Sequence, residues 1–518
     1  VQYALQDNPN DIVLLAEERR LSLLYGNLSR NEEGLVRQKS RVQWLTLGDQ
    51  NTKFFFQAMK QHHRRSKITS IYKADGTRLE ESVLVREEIM SYYKTLLGSQ
   101  PAQQSFDRDL LHTGITRVVS EEQRQALDRE VLDDEIKSAL FSLKDNKAPG
   151  PDGFSSGFFK KTWSVVGDDV TRAIRSFFRS GRLLKEVNAT YIALIPKVPN
   201  PSQVKDFRPI SCCNTIYKCI AKIITDRIKV VLPSVVSPNQ SAFIAGRHIS
   251  DNILLCQELM RNYHRKGGEP RCTLKIDLMK AYDTVRWDYM EEVLRSIGFP
   301  ERMVGWIREC ISTTMFSISI NGELHGFFKG DRGLRQGDPM SPYLFVLAME
   351  VLSGLLCQMM LDRRFRFHWR CSKERLTHLC FADDLMIFCR ADETSISMVR
   401  DCLHRFMGLS GLVPNPAKSH LFTSGISSFV KHQLIQILGF QEGVLPMRYL
   451  GVPLVSTSLR SSDCTILIER IISRAKSWSS RFLSYAGRIQ LIKSVLFSIQ
   501  VYWSSLFIIP KKVIKNVE

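Results

Sequence analysis

Asp383 and Asp384 stand side by side inside an otherwise apolar run, Leu379-Cys380-Phe381-Ala382-Asp383-Asp384-Leu385-Met386-Ile387-Phe388. Adjacent carboxylates among strand-forming hydrophobics repel each other and lose hydration, which costs on the order of several kcal/mol unless something compensates. A divalent cation compensates well. A hard ion such as magnesium is held by one or two protein carboxylates together with substrate phosphates, not by a closed protein cage. A third acid at another strand end would complete such a site. Cys272-Thr273-Leu274-Lys275-Ile276-Asp277 supplies one, a β-prone run that ends in an aspartate. Three carboxylates on neighbouring strand ends can hold two metals roughly 4 Å apart, which activates an attacking hydroxyl and stabilises a leaving pyrophosphate. That chemistry is nucleotidyl transfer. For either motif alone, a polar hairpin turn at Asp383-Asp384 and a helix cap at Asp277 remain the competing reading.

The charge balance points the same way. Seventy-two Lys and Arg against 53 Asp and Glu leave a net charge of +19. Such a surplus favours a polyanionic partner, because each phosphate neutralised releases counterions. The 518 residues exceed one ordinary core, so several subdomains are expected. Twelve cysteines without a CxxC pair read as reduced core thiols, with His378 and Cys380 as occupants of one strand face. No apolar run is read as long enough to span a membrane and no secretory signal is visible, so an intracellular protein without a membrane partner is expected.

Along the chain, Leu14, Leu21, Leu28, Leu35 and Val42 recur every seven residues without a second apolar seam, predicting a helical arm in place of a dimerising coil. The basic patch from His62 to Lys67 reads as a surface turn or a nucleic-acid contact. A short helix over 133–143 stops at the rigid loop Asn146-Lys147-Ala148-Pro149-Gly150-Pro151-Asp152-Gly153-Phe154, and Tyr191 to Lys197 reads as a strand. Trp287, Met290, Leu294 and Ile297 mark a helix face, with Asp283 as its N-cap. Gly333-Leu334-Arg335-Gln336-Gly337-Asp338-Pro339-Met340-Ser341-Pro342 is a glycine-hinged loop opening a helix, with Ser341 as cap and Pro342 as first helical residue. Further helices are expected up to Leu409, through Ile468 to Ala475, and through Ile489 to Ile499.

Taken together these segments resemble the reverse transcriptase of plant LINE-type, non-LTR retrotransposons. The resemblance rests on the ordered series Asn146 to Gly153, Phe207-Arg208-Pro209-Ile210-Ser211, Gln240-Ser241-Ala242-Phe243-Ile244-Ala245-Gly246-Arg247, Ile276 to Asp283, Gly333 to Pro339, Phe381 to Asp384, and Tyr449-Leu450-Gly451-Val452-Pro453-Leu454. Val42-Gln43-Trp44-Leu45 and Gly48 to Phe55 are similar to the arm that precedes the polymerase in these elements. Ala245 departs from the family's usual proline there.

The resemblance implies an α+β, right-hand polymerase fold of fingers, palm and thumb with a helical N-terminal extension. Its regions would be an arm at 1–129, fingers at 130–271, palm at 272–454 and thumb at 455–518. It implies Asp277, Asp383 and Asp384 as ligands of two magnesium ions, with manganese as an alternative. Lys197 and Arg208 match the cations that hold the triphosphate, and Tyr282 matches the aromatic ring under the incoming sugar, where it would exclude a 2′-hydroxyl. Gln336 and Gly337 match the loop beside the nascent base pair, and Lys418 a lysine that helps protonate the departing pyrophosphate. Tyr449, Leu450 and Gly451 correspond to the primer grip. Thumb cations including Arg474, Lys476, Arg481, Arg488 and Lys493 would touch the backbone of the nucleic acid.

The implied partners are an RNA template, a DNA primer and dNTPs, and the implied place of action is the nucleus. No endonuclease domain precedes residue 130 and no cysteine–histidine zinc motif follows the thumb in this sequence, so target nicking by the chain itself is not expected. Two rivals stand beside a polymerase reading: a decayed or co-opted nucleic-acid-binding remnant, and an RNA-templated RNA polymerase, against which Tyr282 argues.

Overall fold

The computed structural model describes residues 1–40, 59–60, 64, 66–98, 107–265, 267–478 and 485–517. The motifs at 42–55, most of the basic patch at 62–67, and Arg481 lie outside the described residues. The chain forms two compact units, one of residues 1–67 with 459–518 and one of 68–458.

In the first unit the heptad leucines lie on a single helix, Ile12–Ser40, as the spacing predicts. Leu21 and Leu28 are exposed on it. The C-terminal part is helical, Thr465–Trp478, Tyr485–Leu491 and Phe497–Ser504, with a wider turn at Ile492–Leu496. Cys464, Leu467, Ile471, Leu491, Trp503, Leu506 and Val513 are its buried apolar side chains among the described residues.

The second unit carries all the described strands: β1 (Ile71–Tyr72), β2 (Arg78–Leu79), β3 (Ala189–Pro196), β4 (Phe207–Cys213), β5 (Arg271–Ile276), β6 (Met315–Ile320), β7 (Glu323–Lys329), β8 (His378–Phe381), β9 (Asp384–Cys389), β10 (His420–Ser424), β11 (Gln441–Glu442), β12 (Met447–Tyr449) and β13 (Val452–Leu454). They build a five-stranded sheet ordered β11-β10-β5-β9-β8, a four-stranded sheet ordered β4-β3-β6-β7, and two small hairpins. The alternation of buried and half-buried residues along β3 follows from its period of two, Ile192 and Leu194 facing the core. Strand β5 is buried along nearly its whole length because it is central, between β9 and β10, with Cys272, Leu274 and Ile276 on its apolar face.

The helix Ser341–Met359 is buried nearly all round, from Leu344 to Leu356. An apolar run of that length meets the size and composition of a membrane span, contrary to the expectation that no run would. Its burial explains the composition: a helix covered on every side has no polar face. Its first residue is Ser341 and its cap position is Met340, without a side-chain cap, so the expected Ser341 cap is not made. Instead the Asp338 carboxylate accepts the Met340 N–H at 2.9 Å. All twelve cysteines are free and eleven are buried, as core thiols should be.

The loop over 146–154 is pinned by one buried side chain. Asn214 accepts the Asp152 N–H at 3.2 Å and donates to the Glu186 carbonyl at 2.8 Å. Thr215 adds a bond to the Phe154 carbonyl at 2.7 Å.

Candidate active site

Strands β5 and β9 are antiparallel and pair Ile276 with Leu385. The next position in that register sets Asp277 opposite Asp384, so acids more than a hundred residues apart meet at one sheet end. Strands β8 and β9 close a two-residue turn through Ala382 and Asp383, with Phe381 paired to Asp384. Ala382 has φ +56°, a left-handed conformation that a residue with a Cβ seldom takes. The Asp277 backbone is held in turn by Asn415, whose N–H reaches the Asp277 carbonyl at 2.7 Å, and by the Ser419 hydroxyl, which accepts the Asp277 N–H at 3.2 Å.

The electrostatics fit two crowded carboxylates beside a third. Desolvation by the cleft walls raises the pKa of Asp383, and the Asp277 carboxylate raises it further while Arg208 opposes. Asp384 is raised first by desolvation, then by Asp383 and Asp277, against Lys275. Among the described residues no three acidic, histidine or cysteine side chains stand ready to hold an ion by themselves. An oxygen-only, mutually repelling donor set of this kind suits a hard cation that also takes ligands from a substrate phosphate.

Arg208 acts on Asp383, and further cations gather near Arg208 and Lys197. Arg208 lies on β4 opposite Ile195 of β3, exposed, and its guanidinium makes no hydrogen bond or ion pair among the described residues. Lys197 follows β3, and its Nζ donates to the Lys205 carbonyl at 2.8 Å. Desolvation lowers the Lys197 pKa, Asp283 counters, and the charges of Arg208, Lys418 and Lys280 lower it again. Lys197 therefore lies near enough to feel three other cations, a concentration of positive charge suited to a polyphosphate. Lys280, at φ +47° with its ammonium 4.5 Å from the centre of the Tyr92 ring, was not marked by any sequence signal beyond its place after Asp277.

Tyr282 is half-buried and stacks on Phe345, ring centres 4.8 Å apart. Its pKa is pushed up to about 12 by burial and by the Asp383 carboxylate, which places the phenol beside the acids. Asp283 does not cap the helix Trp287–Ile297, whose cap position is Arg286. The carboxylate is buried instead and takes the Gln336 Nε2 at 3.3 Å. Local cap spacing could not reveal this, because the partner returns from a loop fifty residues later.

That loop docks on β4: the Ser211 N–H donates to the Gln336 carbonyl at 2.7 Å. Gly337 has φ +113°, and a Cβ there would stand 2.8 Å from the Ser211 carbonyl oxygen, so both conformation and space require glycine. The hairpin of β12 with β13, expected at the primer, is joined to β5 by the Lys275 ammonium, which donates to the Arg448 carbonyl at 2.6 Å. Tyr449, expected at the primer, has its ring fully buried beside Cys256 and cannot offer it to a ligand. Leu450 and Gly451, partly exposed with φ of +46° and +91°, form the turn. Arg488 is exposed on the helix Tyr485–Leu491 of the other unit.

Acids at the ends of β5 and β9, a cluster of cations and a buried glycine-hinged loop define a palm-type polymerase site. Residues 195–454 match the family model described as reverse transcriptase (RNA-dependent DNA polymerase). The chain belongs to that family, in the branch carried by LINE-type, non-LTR retrotransposons. It is 29% identical to an uncharacterized 149 kDa protein of transposon TX1 from Xenopus laevis, over 91% of this chain and 36% of the relative. It is 24% identical to the retrovirus-related Pol polyprotein of the type-2 retrotransposable element R2DM from Drosophila melanogaster, over 68% of this chain and 31% of that protein. A shorter stretch, 67 residues, is 51% identical to an uncharacterized mitochondrial protein of Arabidopsis thaliana, 12% of this chain and 54% of that one. The chain spans about a third of the length of the first two relatives.

Proposed function

We propose that this chain is the polymerase portion of a retrotransposon protein and adds deoxynucleotides to a primer 3′-hydroxyl along an RNA template. The observation that carries the reading is the register that sets Asp277 against Asp384 and Asp383, with Arg208 acting on Asp383 and with Arg208 and Lys418 both acting on Lys197. Asp277, Asp383 and Asp384 would hold two magnesium ions, or manganese, which when bound lower the pKa of the attacking hydroxyl and neutralise charge on the leaving pyrophosphate.

The chain's own groups supply orientation and charge. The free fork of Arg208 suits bidentate grip of a phosphate, and Lys197 adds a point charge. Lys418 would help protonate the leaving pyrophosphate. Tyr282, held by its stack on Phe345, would present a flat surface to the sugar and exclude a 2′-hydroxyl. Gln336 and Gly337 would border the nascent base pair, the Leu450-Gly451 turn the primer, and Arg488 the nucleic-acid backbone.

We assign 130–271 to fingers, 272–454 to palm and 455–518 to thumb, with 1–129 as the preceding arm. Priming from nicked chromosomal DNA, and so action in the nucleus, belongs to the same proposal. Origin in a plant element is supported by the stretch similar to the Arabidopsis protein.

Primer extension on an RNA template, with deoxy- and ribonucleotides compared and Asp383→Ala as control, tests the function. Extension with deoxynucleotides that Asp383→Ala abolishes is expected. Tight primer–template binding without extension, or a preference for ribonucleotides, overturns it.

A further inference from the structure

The turn that presents Asp383 and Asp384 is gripped by a side chain from a distant segment. Gln240 is 1% exposed. Its Oε1 accepts the Ala382 N–H at 3.0 Å, and its Nε2 donates to the Ala382 carbonyl at 3.5 Å. One amide therefore engages both backbone groups of the residue that precedes Asp383, the residue held at φ +56°. The same Oε1 accepts the Ala242 N–H at 3.0 Å, which fixes the direction in which the amide points.

The segment that carries Gln240 is itself tied to the sheet. Cys380 of β8 donates to the Asn239 carbonyl at 2.8 Å, and its own carbonyl accepts from the Ser241 N–H at 3.0 Å and from Asn252 Nδ2 at 2.9 Å. Ser241 donates to the Asn252 side chain at 2.6 Å. Behind it, the Arg247 guanidinium donates to the Gln240 and Ser237 carbonyls, both at 2.5 Å, and to the Val236 carbonyl at 3.0 Å. A continuous chain of hydrogen bonds thus runs from Arg247 through Gln240 to Ala382 and the acids.

Without such a grip the turn has two reasons to relax. Ala382 would leave the left-handed region, where its Cβ is crowded. Asp383 and Asp384 would move apart from each other and from Asp277, because like charges at a partly desolvated site repel.

We propose that Gln240 is a positioning residue for the metal-binding carboxylates, holding Asp383 and Asp384 toward Asp277 before a cation arrives. This rests on the reading of the site as a metal-dependent polymerase. Pre-organisation of this kind lowers the cation concentration needed to fill the site and leaves the grip on primer and template unchanged.

The test compares the wild-type chain with Gln240→Ala, Gln240→Met and Gln240→Glu. Methionine keeps the volume and removes both polar ends; glutamate keeps the acceptor for Ala382 and Ala242. Each is mixed with dNTP and a primer–template ending in a dideoxynucleotide, and Mn2+ binding is followed by the loss of the free-ion EPR signal. Circular dichroism monitors folding, fluorescence anisotropy monitors primer–template binding, and extension of an ordinary primer is titrated with Mg2+.

A rise of roughly tenfold in the half-saturating Mn2+ and Mg2+ concentrations is expected for folded Gln240→Ala or Gln240→Met, with unchanged primer–template affinity and recovery toward wild type in Gln240→Glu. Wild-type metal dependence in either folded apolar variant overturns the assignment while extension by the wild type leaves the polymerase reading intact. A wild-type chain that neither extends nor binds Mn2+ in this complex overturns both. If both apolar variants lose their helical spectrum, the decision falls to Gln240→Glu: retention of wild-type metal dependence upholds the acceptor role, and a tenfold rise refutes it.

Discussion

Gln336 Nε2 lies 3.3 Å from one carboxylate oxygen of Asp283 and 3.4 Å from the other. The backbone around both residues is joined as well: the Leu334 N–H donates to the Tyr282 carbonyl at 2.6 Å, and a Cβ on Gly333 would sit 2.7 Å from the Asp283 carbonyl oxygen. The residue after Tyr282 therefore sets the loop that carries Gln336. Asp283→Ala is expected to raise KM for dNTP by roughly tenfold, the effect of losing one hydrogen bond to a charged group. Affinity for primer–template should stay the same. Steady-state kinetics beside anisotropy decide it, and an unchanged KM would mean the loop holds Gln336 through its backbone alone.

Glu350 is 2% exposed in the buried helix Ser341–Met359. Its Oε1 accepts the Ser237 N–H at 2.9 Å and its Oε2 has no partner among the described residues. Burial pushes its carboxyl up to about 7 from an ordinary 4.5, against the pull of the Ser237 amide, Arg117 and Arg247. A raised acid binds its proton more tightly in the folded chain. Its contribution to stability is complete below 4.5 and is lost as pH rises through about 7. Glu350→Gln keeps the acceptor and removes the titration, so it should match wild type in acid and exceed it above neutrality, by no more than about 3 kcal/mol at ~1.4 kcal/mol per unit. Urea midpoints at acid and alkaline pH measure the gap; a gap that fails to widen with pH contradicts this account.

What the sequence made legible is what repeats or stands out locally. The acidic pair between apolar residues forecast the β8–β9 turn, and the apolar run from Tyr191 ended by Pro196 forecast β3. The buried heart of the site was not legible in the same way. Gln240, Asn214 and Asp283 act through hydrogen bonds to partners 142, 62 and 53 residues away, and no spacing rule reaches that far. Tyr449 shows the converse, since its motif suggested a ligand contact while the β12–β13 hairpin turns its ring into the core.

Arg335 and Asp338 form a buried pair at 3.2 Å, 7% and 4% exposed. The guanidinium also donates to Asn188 and Thr190 side chains and to the Cys310 carbonyl, and lies 3.9 Å from the Tyr217 ring centre. Tyr217 donates to Asp338 at 2.6 Å. Removing one member strands a charge in the core, so Asp338→Ala should cost about 3–5 kcal/mol of stability. Arg335→Met should cost a similar amount, and the double variant less than the sum. Chemical denaturation of the three variants gives the coupling; strict additivity would show that the two charges are solvated independently.

Asp384 illustrates how function and stability oppose each other here. Desolvation first, then Asp383 and Asp277, raise its pKa, with Lys275 opposing. A raised carboxyl stabilises the fold only while protonated, so once ionised in the absence of metal Asp384 is a cost to the folded state. Asp384→Asn should therefore melt at a higher temperature than wild type in EDTA, yet lose extension by at least roughly a thousandfold, since several kcal/mol of transition-state stabilisation disappear with the ligand. Added Mg2+ should raise the melting temperature of wild type, by offsetting the same repulsion, and leave the variant nearly unmoved. Scanning calorimetry with and without Mg2+ separates these effects. A variant less stable than wild type in EDTA would mean that Asp384 serves the fold, and that the repulsion at the ends of β5 and β9 is already relieved by Lys275.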